Sequence, residues 1–301
     1  MTAREEILAK VSEAKKLRSL CRMLKEPTST ILLQDLVLGA LSSYAAAAIR
    51  RLGGVHLFVM EDRDAAAYLM NDLYALLEED SVYFFPSAYK RSIRYGEEDA
   101  QGVVQRTTAL QAVRNLKPGG YAVLCTWPEA LAEKVVDSGS LASREIRLRV
   151  GDRLAISSLI EELEAQGFQR VDFVYEPGHY SHRGGIVDIF SYSESKPYRL
   201  DFFGDEIDSI RRFNISSQLS DERLKEVEIL PNLNREQEGK RVSLASFVGD
   251  GATWWFSDAD FTLRRINEIR HKLISEEEDM QLAEERLTSR QGILQALGGS
   301  H

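Results

Sequence analysis

Two apolar runs, each followed by a helical pattern, constrain the fold of this chain more than any other feature. Val55–Met60 and Tyr121–Thr126 are almost continuously apolar, which is typical of strands buried on both faces of a parallel sheet. Helical patterns cover Asp64–Leu77 and Gly102–Leu116, and a short strand is predicted at Val82–Phe85. Strands that alternate with helices form βαβ units. The first half of the chain is therefore predicted to be an α/β domain with a parallel sheet.

Further patterns fill the rest of this half. Helical periodicity covers Ala3–Leu24, and Ser42–Leu52 predicts an alanine-rich helix. Ile31–Leu38, which lies between them, fits either a strand or a turn. Pro128 opens a helix that is predicted to reach Val136.

The pattern changes near Ser138, after which short strands follow one another with hairpin turns between them. One amphipathic helix, Arg153–Gly167, precedes four predicted strands. These strands are Val171–Tyr175, Gly185–Phe190, Tyr198–Phe203 and Ile207–Phe213. The later apolar run Thr253–Phe256 resembles the strands of the first half and is expected to rejoin their sheet. The sequence therefore predicts an α/β domain over 1–143, an inserted α+β domain over 144–231 and a returning segment over 232–301.

Charge and composition narrow the functional classes. The chain has 301 residues, with 38 Lys and Arg against 47 Asp and Glu and a net charge of -9. This balance argues weakly against nucleic acid as the main partner, although it leaves room for a local basic patch. Cys21, Cys125 and the 5 histidines form no metal-binding motif, so neither a metal nor another cofactor is predicted. The polar N-terminus and the lack of a long apolar stretch predict a cytoplasmic protein without a membrane segment.

The loop Leu38–Ser43 stands where a phosphate-binding loop would precede the first helix of a nucleotide-binding domain. A working loop needs a second glycine, a lysine for the β- and γ-phosphates, and a serine or threonine for Mg²⁺. Gly39 and Ser43 fit this pattern. Leu41, however, replaces the glycine and Ser42 replaces the lysine.

The acidic motif that such a domain needs is also incomplete. Asp258 follows the last apolar run, but Ala259 stands where a second carboxylate would help to hold Mg²⁺. Two losses at separate positions favour a nucleotide site that has degenerated. Its remaining members are Gly39, Ser42, Ser43 and Asp258. The alternative is an α/β domain that never bound nucleotide.

The segment Tyr198–Phe213 predicts a β-hairpin closed by a tight turn at Gly204. Alternation along its first strand gives a core face and an outer face. The core face carries Tyr198, Leu200 and Phe202. The outer face carries Arg199, Asp201 and Phe203. An aromatic residue beside an arginine on a solvated face matches the composition of interaction hot spots. The alternative is that Phe203 packs beneath a loop.

Two motifs in this region carry a family resemblance. They are Arg-Gly-Gly-Ile-Val-Asp-Ile-Phe at 183–190 and Tyr-Arg-Leu-Asp-Phe-Phe-Gly-Asp-Glu-Ile-Asp-Ser-Ile-Arg-Arg-Phe at 198–213. They resemble the damage-recognition domain shared by the excision-repair protein UvrB and the bacterial transcription-repair coupling factors (Mfd). The resemblance implies a RecA/P-loop-like parallel-sheet domain 1A, an inserted α+β domain 2 and a returning domain 1B. Because both nucleotide motifs are incomplete, the chain is more similar to the N-terminal UvrB-like region of the coupling factors than to UvrB.

The resemblance also implies a partner. Domain 2 of that family binds UvrA, and the matching positions imply that Arg183, Arg199 and Phe203 contact UvrA. The implied function is a non-catalytic module that recruits UvrA in transcription-coupled nucleotide excision repair, with RNA polymerase and double-stranded DNA bound by other domains. The alternative is a UvrB-like, ATP-dependent helicase fragment that binds damaged DNA. A third hypothesis is weak DNA binding by basic residues of domain 2, such as Arg211 and Arg212.

Overall fold

The computed structural model describes residues 2–26, 30–36, 39–90, 97–234, 240–277 and 280–298. The chain divides into two compact units. Unit 1 consists of Met1–Glu97, Ala109–Val135 and Arg241–His301, and unit 2 consists of Glu98–Thr108 and Val136–Lys240. Most of unit 2 is therefore one continuous segment that interrupts the sequence of unit 1.

Several helices begin at residues whose side chains accept a hydrogen bond from the first turn, such as Thr2, Asp62 and Asp137. Within the described ranges, no helix is both long and apolar enough to cross a membrane. The α-helices are α1 (Ala3–Glu13), α2 (Lys15–Met23), α3 (Ala40–Leu52), α4 (Arg63–Leu76), α5 (Ala100–Arg114), α6 (Pro128–Ala132), α7 (Ser138–Ser143), α8 (Ile156–Ala165), α9 (Leu244–Val248), α10 (Ala259–Glu277), α11 (Met280–Arg286) and α12 (Arg290–Ala296).

The strands form a four-stranded sheet in unit 1, a six-stranded sheet in unit 2 and short additional pairs. A 3₁₀ turn, Glu79–Ser81, precedes the second strand. The strands are β1 (Gly54–Val59), β2 (Val82–Phe84), β3 (Tyr121–Thr126), β4 (Val135–Val136), β5 (Ile146–Arg149), β6 (Gln169–Arg170), β7 (His179–Arg183), β8 (Ile186–Ile189), β9 (Tyr198–Phe203), β10 (Glu206–Phe213), β11 (Ser220–Leu224), β12 (Glu226–Ile229), β13 (Arg241–Val242) and β14 (Thr253–Phe256).

The sheet of unit 1 has the order β14–β1–β3–β2, and its neighbouring strands are all parallel. The central strands β1 and β3 are the apolar runs from which the sheet was predicted, and their interior residues are buried. β14 pairs with β1 over His56–Val59, although nearly two hundred residues separate them in sequence. The predictions of a parallel α/β sheet and of a late strand that rejoins it are therefore confirmed.

Aromatic and polar contacts fix the joint between β1 and β14. The Trp255 ring stacks on Phe58 with centroids 5.1 Å apart, and its Nε1 donates to His56 Nδ1 at 3.2 Å. The second ring nitrogen of His56, Nε2, lies 3.0 Å from the carbonyl oxygen of Gly53. An imidazole that accepts at Nδ1 and donates at Nε2 is neutral. Burial lowers the pKa of His56 to about 4, which favours this neutral form.

The helices at the start of unit 1 pack through small side chains. Ala45–Ile49 of α3 is fully or almost fully buried. Leu17, Leu20 and Cys21 of α2 belong to the same core cluster. The opposite face of α2 is left to polar residues, as expected for an amphipathic surface helix.

Unit 2 is built on a sheet with the order β11–β10–β9–β8–β7–β6. Its strands pair antiparallel except for the parallel pair β6 and β7. One face packs on α8, which contributes Leu159 and Leu163, and on the β5–β12 pair. The core of this face also includes Tyr180, Val187, Ile189, Tyr198, Leu200, Ile207 and Ile210. An antiparallel α+β region is therefore confirmed.

Two helix predictions for unit 1 need correction. The predicted helix Ala3–Leu24 is interrupted at Ala14, whose ψ of 131° is extended and separates α1 from α2. The predicted helix that starts at Pro128 ends at Ala132, because the next residue is already extended. Of the two alternatives for Ile31–Leu38, the strand is wrong for residues 31–36, which form neither strand nor helix, and residues 37 and 38 lie outside the described ranges.

In unit 2, the predicted strand Val171–Tyr175 is wrong, since only Gln169–Arg170 pairs with the sheet there. The strands β7, β11 and β12 were not predicted. β7 carries polar residues such as His179 and Ser181 that are nonetheless buried, so its sequence lacks an apolar alternation. β11 is mostly exposed and polar, so its sequence has no alternation of apolar and polar residues from which a strand could be predicted.

The lowered pKa of His56 allows a prediction of how the stability of unit 1 depends on pH. Its folded pKa of about 4 lies below the ordinary value of about 6.5, so the unfolded chain binds a proton more readily. The stability that comes from neutral His56 is complete above about pH 6.5 and is lost progressively as the pH falls through about 4. We expect the free energy of unfolding of unit 1 to fall by about 2 kcal/mol between pH 7 and pH 5.

Urea titrations followed by tryptophan fluorescence measure this change, because all 3 tryptophans of the chain belong to unit 1. The control is His56→Asn, which cannot titrate and should be less stable at pH 7 with a flatter pH dependence. An equal loss of stability in both proteins would show that other groups cause it.

Candidate functional site

The β9–β10 hairpin presents one aromatic side chain to solvent. Tyr198 and Leu200 are buried in the core, whereas Phe203 is 84% exposed. Gly204 follows with a φ of 63°, so the two-residue turn is tight and glycine fits its conformation. The predicted alternation is confirmed, and the alternative that Phe203 packs beneath a loop is wrong.

A buried carboxylate, Asp188 of β8, lies on the same face of the sheet. Arg199 stands directly opposite it on β9 and donates Nε to Oδ1 at 2.7 Å and Nη2 to Oδ2 at 2.8 Å. Arg183 adds a bond from Nη2 to Oδ2 at 2.9 Å. The Asp188 side chain is only 1% exposed, and an unpaired charge at such a position would be strongly destabilising. We call Asp188, Arg183 and Arg199 the Asp188 cluster.

Arg199 is more enclosed than its position in the strand suggests. Its side chain is 15% exposed, and its guanidinium lies 4.3 Å from the centroid of the buried Phe213 ring. Hydrogen bonding to Asp188 raises the pKa of Arg199, so the guanidinium keeps its positive charge. The expectation that Arg199 lies on a solvated face is therefore wrong for its charged end. The reason is that the Arg199 guanidinium bonds Asp188 on the neighbouring strand and does not extend into solvent.

Arg183 is the accessible arginine of the cluster, with a side chain that is 41% exposed. Its guanidinium lies over the ring of Phe173, 4.6 Å from the centroid. Phe173 and its neighbour Tyr175 are themselves 58% and 61% exposed. We call Phe173, Arg183 and Phe203 the docking surface.

Two neighbouring glycines hold the tip of β7 and β8 against β9. Gly185 has no room for a side chain, because a Cβ there would lie 2.8 Å from the carbonyl oxygen of Phe202. The Phe202 N–H donates to the Gly185 carbonyl at 2.7 Å, and Gly184 adopts a φ of 61°. The backbone beside Phe203 is thereby tied to the hairpin that carries Arg183.

Sequence reasoning missed Phe173 and Asp188. Phe173 falls within a predicted strand that does not form. Asp188 had a signal that could have been used, since a charged residue within the otherwise apolar run Ile186–Phe190 requires a partner if the strand is buried.

Arg211 and Arg212, the residues of the weak DNA-binding hypothesis, already have carboxylate partners. Arg211 pairs with Asp201, whose other neighbour is the Ser209 hydroxyl at 2.7 Å. Arg212 contacts Glu194 at 3.1 Å and Glu222 at 2.8 Å. The neighbouring carboxylates offset the attraction of these guanidinium groups for a phosphate, so the structure does not favour Arg211 and Arg212 as a DNA site.

The candidate nucleotide residues all make local contacts. At the start of α3, Ser43 Oγ donates to the Gly39 carbonyl at 2.7 Å. Ser42 Oγ lies 3.1 Å from the same carbonyl and 3.2 Å from a carboxylate oxygen of Asp72. A carboxylate at this distance would repel a phosphate.

Asp258, the remaining candidate, accepts a hydrogen bond from the Phe261 N–H at 2.8 Å in the first turn of α10. Its side chain thus acts as a helix cap. Leu38 lies outside the described residues. Among the residues that are described, no group of three or more His, Cys, Asp and Glu side chains could hold a metal ion. A degenerate nucleotide site stays a prediction.

Comparison with known proteins gives this geometry a context. Residues 146–234, which include the docking surface, match the family model of the UvrB interaction domain. The chain is 31% identical over 173 residues to a transcription-repair-coupling factor of Haemophilus influenzae, which covers 58% of this chain and 15% of that protein. The Escherichia coli protein of the same name is 37% identical over 109 residues, which cover 36% of this chain and 10% of that protein. The Bacillus subtilis protein of that name is 28% identical over 222 residues, which cover 73% of this chain and 18% of that protein.

The chain thus spans less than a fifth of the length of these relatives. The predicted resemblance to the N-terminal UvrB-like region of the transcription-repair coupling factors is confirmed.

The Asp188 cluster predicts that Arg199→Glu destabilises unit 2. The substitution removes both bonds to the buried Asp188 carboxylate and adds a like charge, which should cost about 3–5 kcal/mol. Amide hydrogen exchange in β8 and β9 should then be faster by about 100-fold or more. The control is Arg153→Glu, the same charge change at an ion pair whose arginine is 80% exposed, and its exchange should stay near wild type. Equal exchange in the two variants would show that Asp188 does not need Arg199.

Proposed function

We propose that this chain is a non-catalytic recruitment module of the transcription-repair coupling type that docks UvrA in transcription-coupled nucleotide excision repair. The observation that carries the proposal is the exposure of Phe203, which stands at the tip of a hairpin on the sheet face that carries the Asp188 cluster. It lies within the residues that match the UvrB interaction domain. UvrA recruitment itself follows from the family resemblance and from the chemistry of this surface.

The docking surface has the properties of an interaction hot spot. A large aromatic side chain that is already exposed loses water on binding without any rearrangement of the core. Arg183 keeps part of its guanidinium accessible while Asp188 holds the other part, so its rotamer is fixed before a partner arrives. Prior ordering lowers the entropic cost of association. Phe203 and Arg183 are therefore proposed to touch UvrA, and Arg199 to position them through Asp188.

The proposal assigns no catalysis to this chain. It is supported by the missing loop lysine and by the Asp72 carboxylate beside Ser42, where a phosphate would need a cation. In proteins of the relatives' length, we assign the binding of RNA polymerase and of double-stranded DNA during translocation to the parts that this chain does not cover. The role is proposed to be cytoplasmic.

A pull-down with purified UvrA tests the docking surface. Phe203→Ala should weaken UvrA capture by about tenfold or more, as expected for the loss of a central aromatic anchor. Its melting temperature should stay near wild type, because truncating an exposed side chain changes stability by about 0.5 kcal/mol or less.

The matched control is Tyr68→Ala, which removes an aromatic side chain of unit 1 that is 75% exposed. This variant should bind UvrA like wild type. Undiminished capture by Phe203→Ala would exclude the hairpin tip as the interface.

The alternative, a UvrB-like helicase fragment, predicts nucleotide binding. Titration of the chain with Mg·ATP by calorimetry should give no heat of binding up to millimolar concentrations, since the loop from Gly39 to Ser43 offers no lysine. Micromolar affinity that is lost on Ser43→Ala would favour the helicase class and contradict a non-catalytic module.

A further inference from the structure

Seven cations of unit 1 lack the carboxylate partners that are common elsewhere in this acidic chain. All seven are exposed. Within the described part of the chain none of them forms an ion pair, and Arg18 donates only to the Glu13 carbonyl at 3.3 Å. They are Lys15, Lys16, Arg18, Arg22 and Lys25 on and just after α2, and Arg50 and Arg51 at the end of α3. We call these seven residues the basic surface.

Several arginines of unit 2 behave differently, because they pair with carboxylates. Arg147 bonds Glu228 at 2.7 Å, Arg149 bonds Glu226 at 2.9 Å, and Arg153 bonds Glu206 at 3.0 Å. Such pairing is expected when acidic residues outnumber basic ones. The basic surface is therefore a local excess of positive charge in a chain whose net charge is -9.

The basic surface lies on and next to two helices that share one core cluster. In α2, the positions of Lys15, Arg18 and Arg22 are spaced i, i+3 and i+7, so they follow one stripe about 10 Å long opposite the buried leucines. Burial raises the pKa of the Cys21 thiol, and the nearby charges of Arg51 and Lys25 oppose that shift. The two helices also share one core cluster, which contains Cys21 of α2 and Ile49 of α3, so the exposed Arg50 and Arg51 at the end of α3 lie near α2.

We propose that the basic surface binds the phosphate backbone of double-stranded DNA. Lysine is depleted at the core of protein interfaces, whereas lysine and arginine supply most phosphate contacts to a duplex. The segment Lys15–Lys25 contains no aromatic residue on which unpaired bases could stack, which argues for a duplex over a single strand. Binding would be sequence-independent and electrostatic. It does not depend on the docking surface or on UvrA.

Fluorescence anisotropy with a labelled duplex of about 20 base pairs tests the proposal at salt concentrations from about 50 to 200 mM. The triple variant Lys15→Gln, Arg18→Gln and Arg22→Gln should bind at least about tenfold more weakly at the lowest salt. Its plot of log K against log salt should be shallower by about one unit for each phosphate that the variant no longer neutralises. A second triple, Lys25→Gln, Arg50→Gln and Arg51→Gln, should also weaken DNA binding and lower the salt slope.

The matched control is Arg147→Gln, Arg149→Gln and Arg153→Gln, which removes the same charge from paired positions and should stay within about twofold of wild type. Phe203→Ala should bind DNA normally. Melting temperatures show that each variant is folded. The proposal is overturned if wild type has no salt-dependent DNA affinity or if the control triple loses as much. It is also overturned if polyglutamate of matched charge competes as well as DNA, because the surface would then suit an acidic protein.

Discussion

A carboxylate buried within the face of a sheet organises unit 2. An unpaired carboxylate at this position would be strongly destabilising, and the two arginines that pair with Asp188 come from different strands. Arg199 is drawn inward onto Phe213, and Arg183 is held where its guanidinium also covers Phe173. The contacts that offset the desolvation of Asp188 thus fix the side chains of Arg183 and Arg199 on the sheet face that also carries Phe203.

The rest of the hairpin follows from that constraint and from backbone geometry. Phe203 directly precedes the turn. Its side chain lies on the face of β9 opposite to the core, which holds the buried Tyr198 and Leu200. Gly185 allows the neighbouring hairpin to approach β9 without a clash at Phe202. An exposed aromatic residue on a tied backbone differs from one on a loose loop, since less conformational freedom remains to be lost on binding.

The two units use their charges in different ways. Several arginines of unit 2, including Arg211 and Arg212, pair with carboxylates, whereas the cations of the basic surface form no ion pair among the described residues. The net charge of -9 is a sum over the whole chain and does not indicate where positive charge is concentrated. Screening limits electrostatic effects to about 8–10 Å at physiological salt, so a partner responds to the local surface and not to the sum over the chain.

The sequence by itself determined what depends on near neighbours. Continuous apolar runs predicted β1, β3 and β14, and alternation placed Phe203 outside, because the period of a strand is a property of consecutive residues. The tertiary structure decided which charges are paired. Asp188 meets Arg199 only through the register of β8 on β9, and the polar strand β7 is buried only because other segments cover it. Whether a lysine or arginine is free for a partner depends on such long-range neighbours, and local sequence does not encode them.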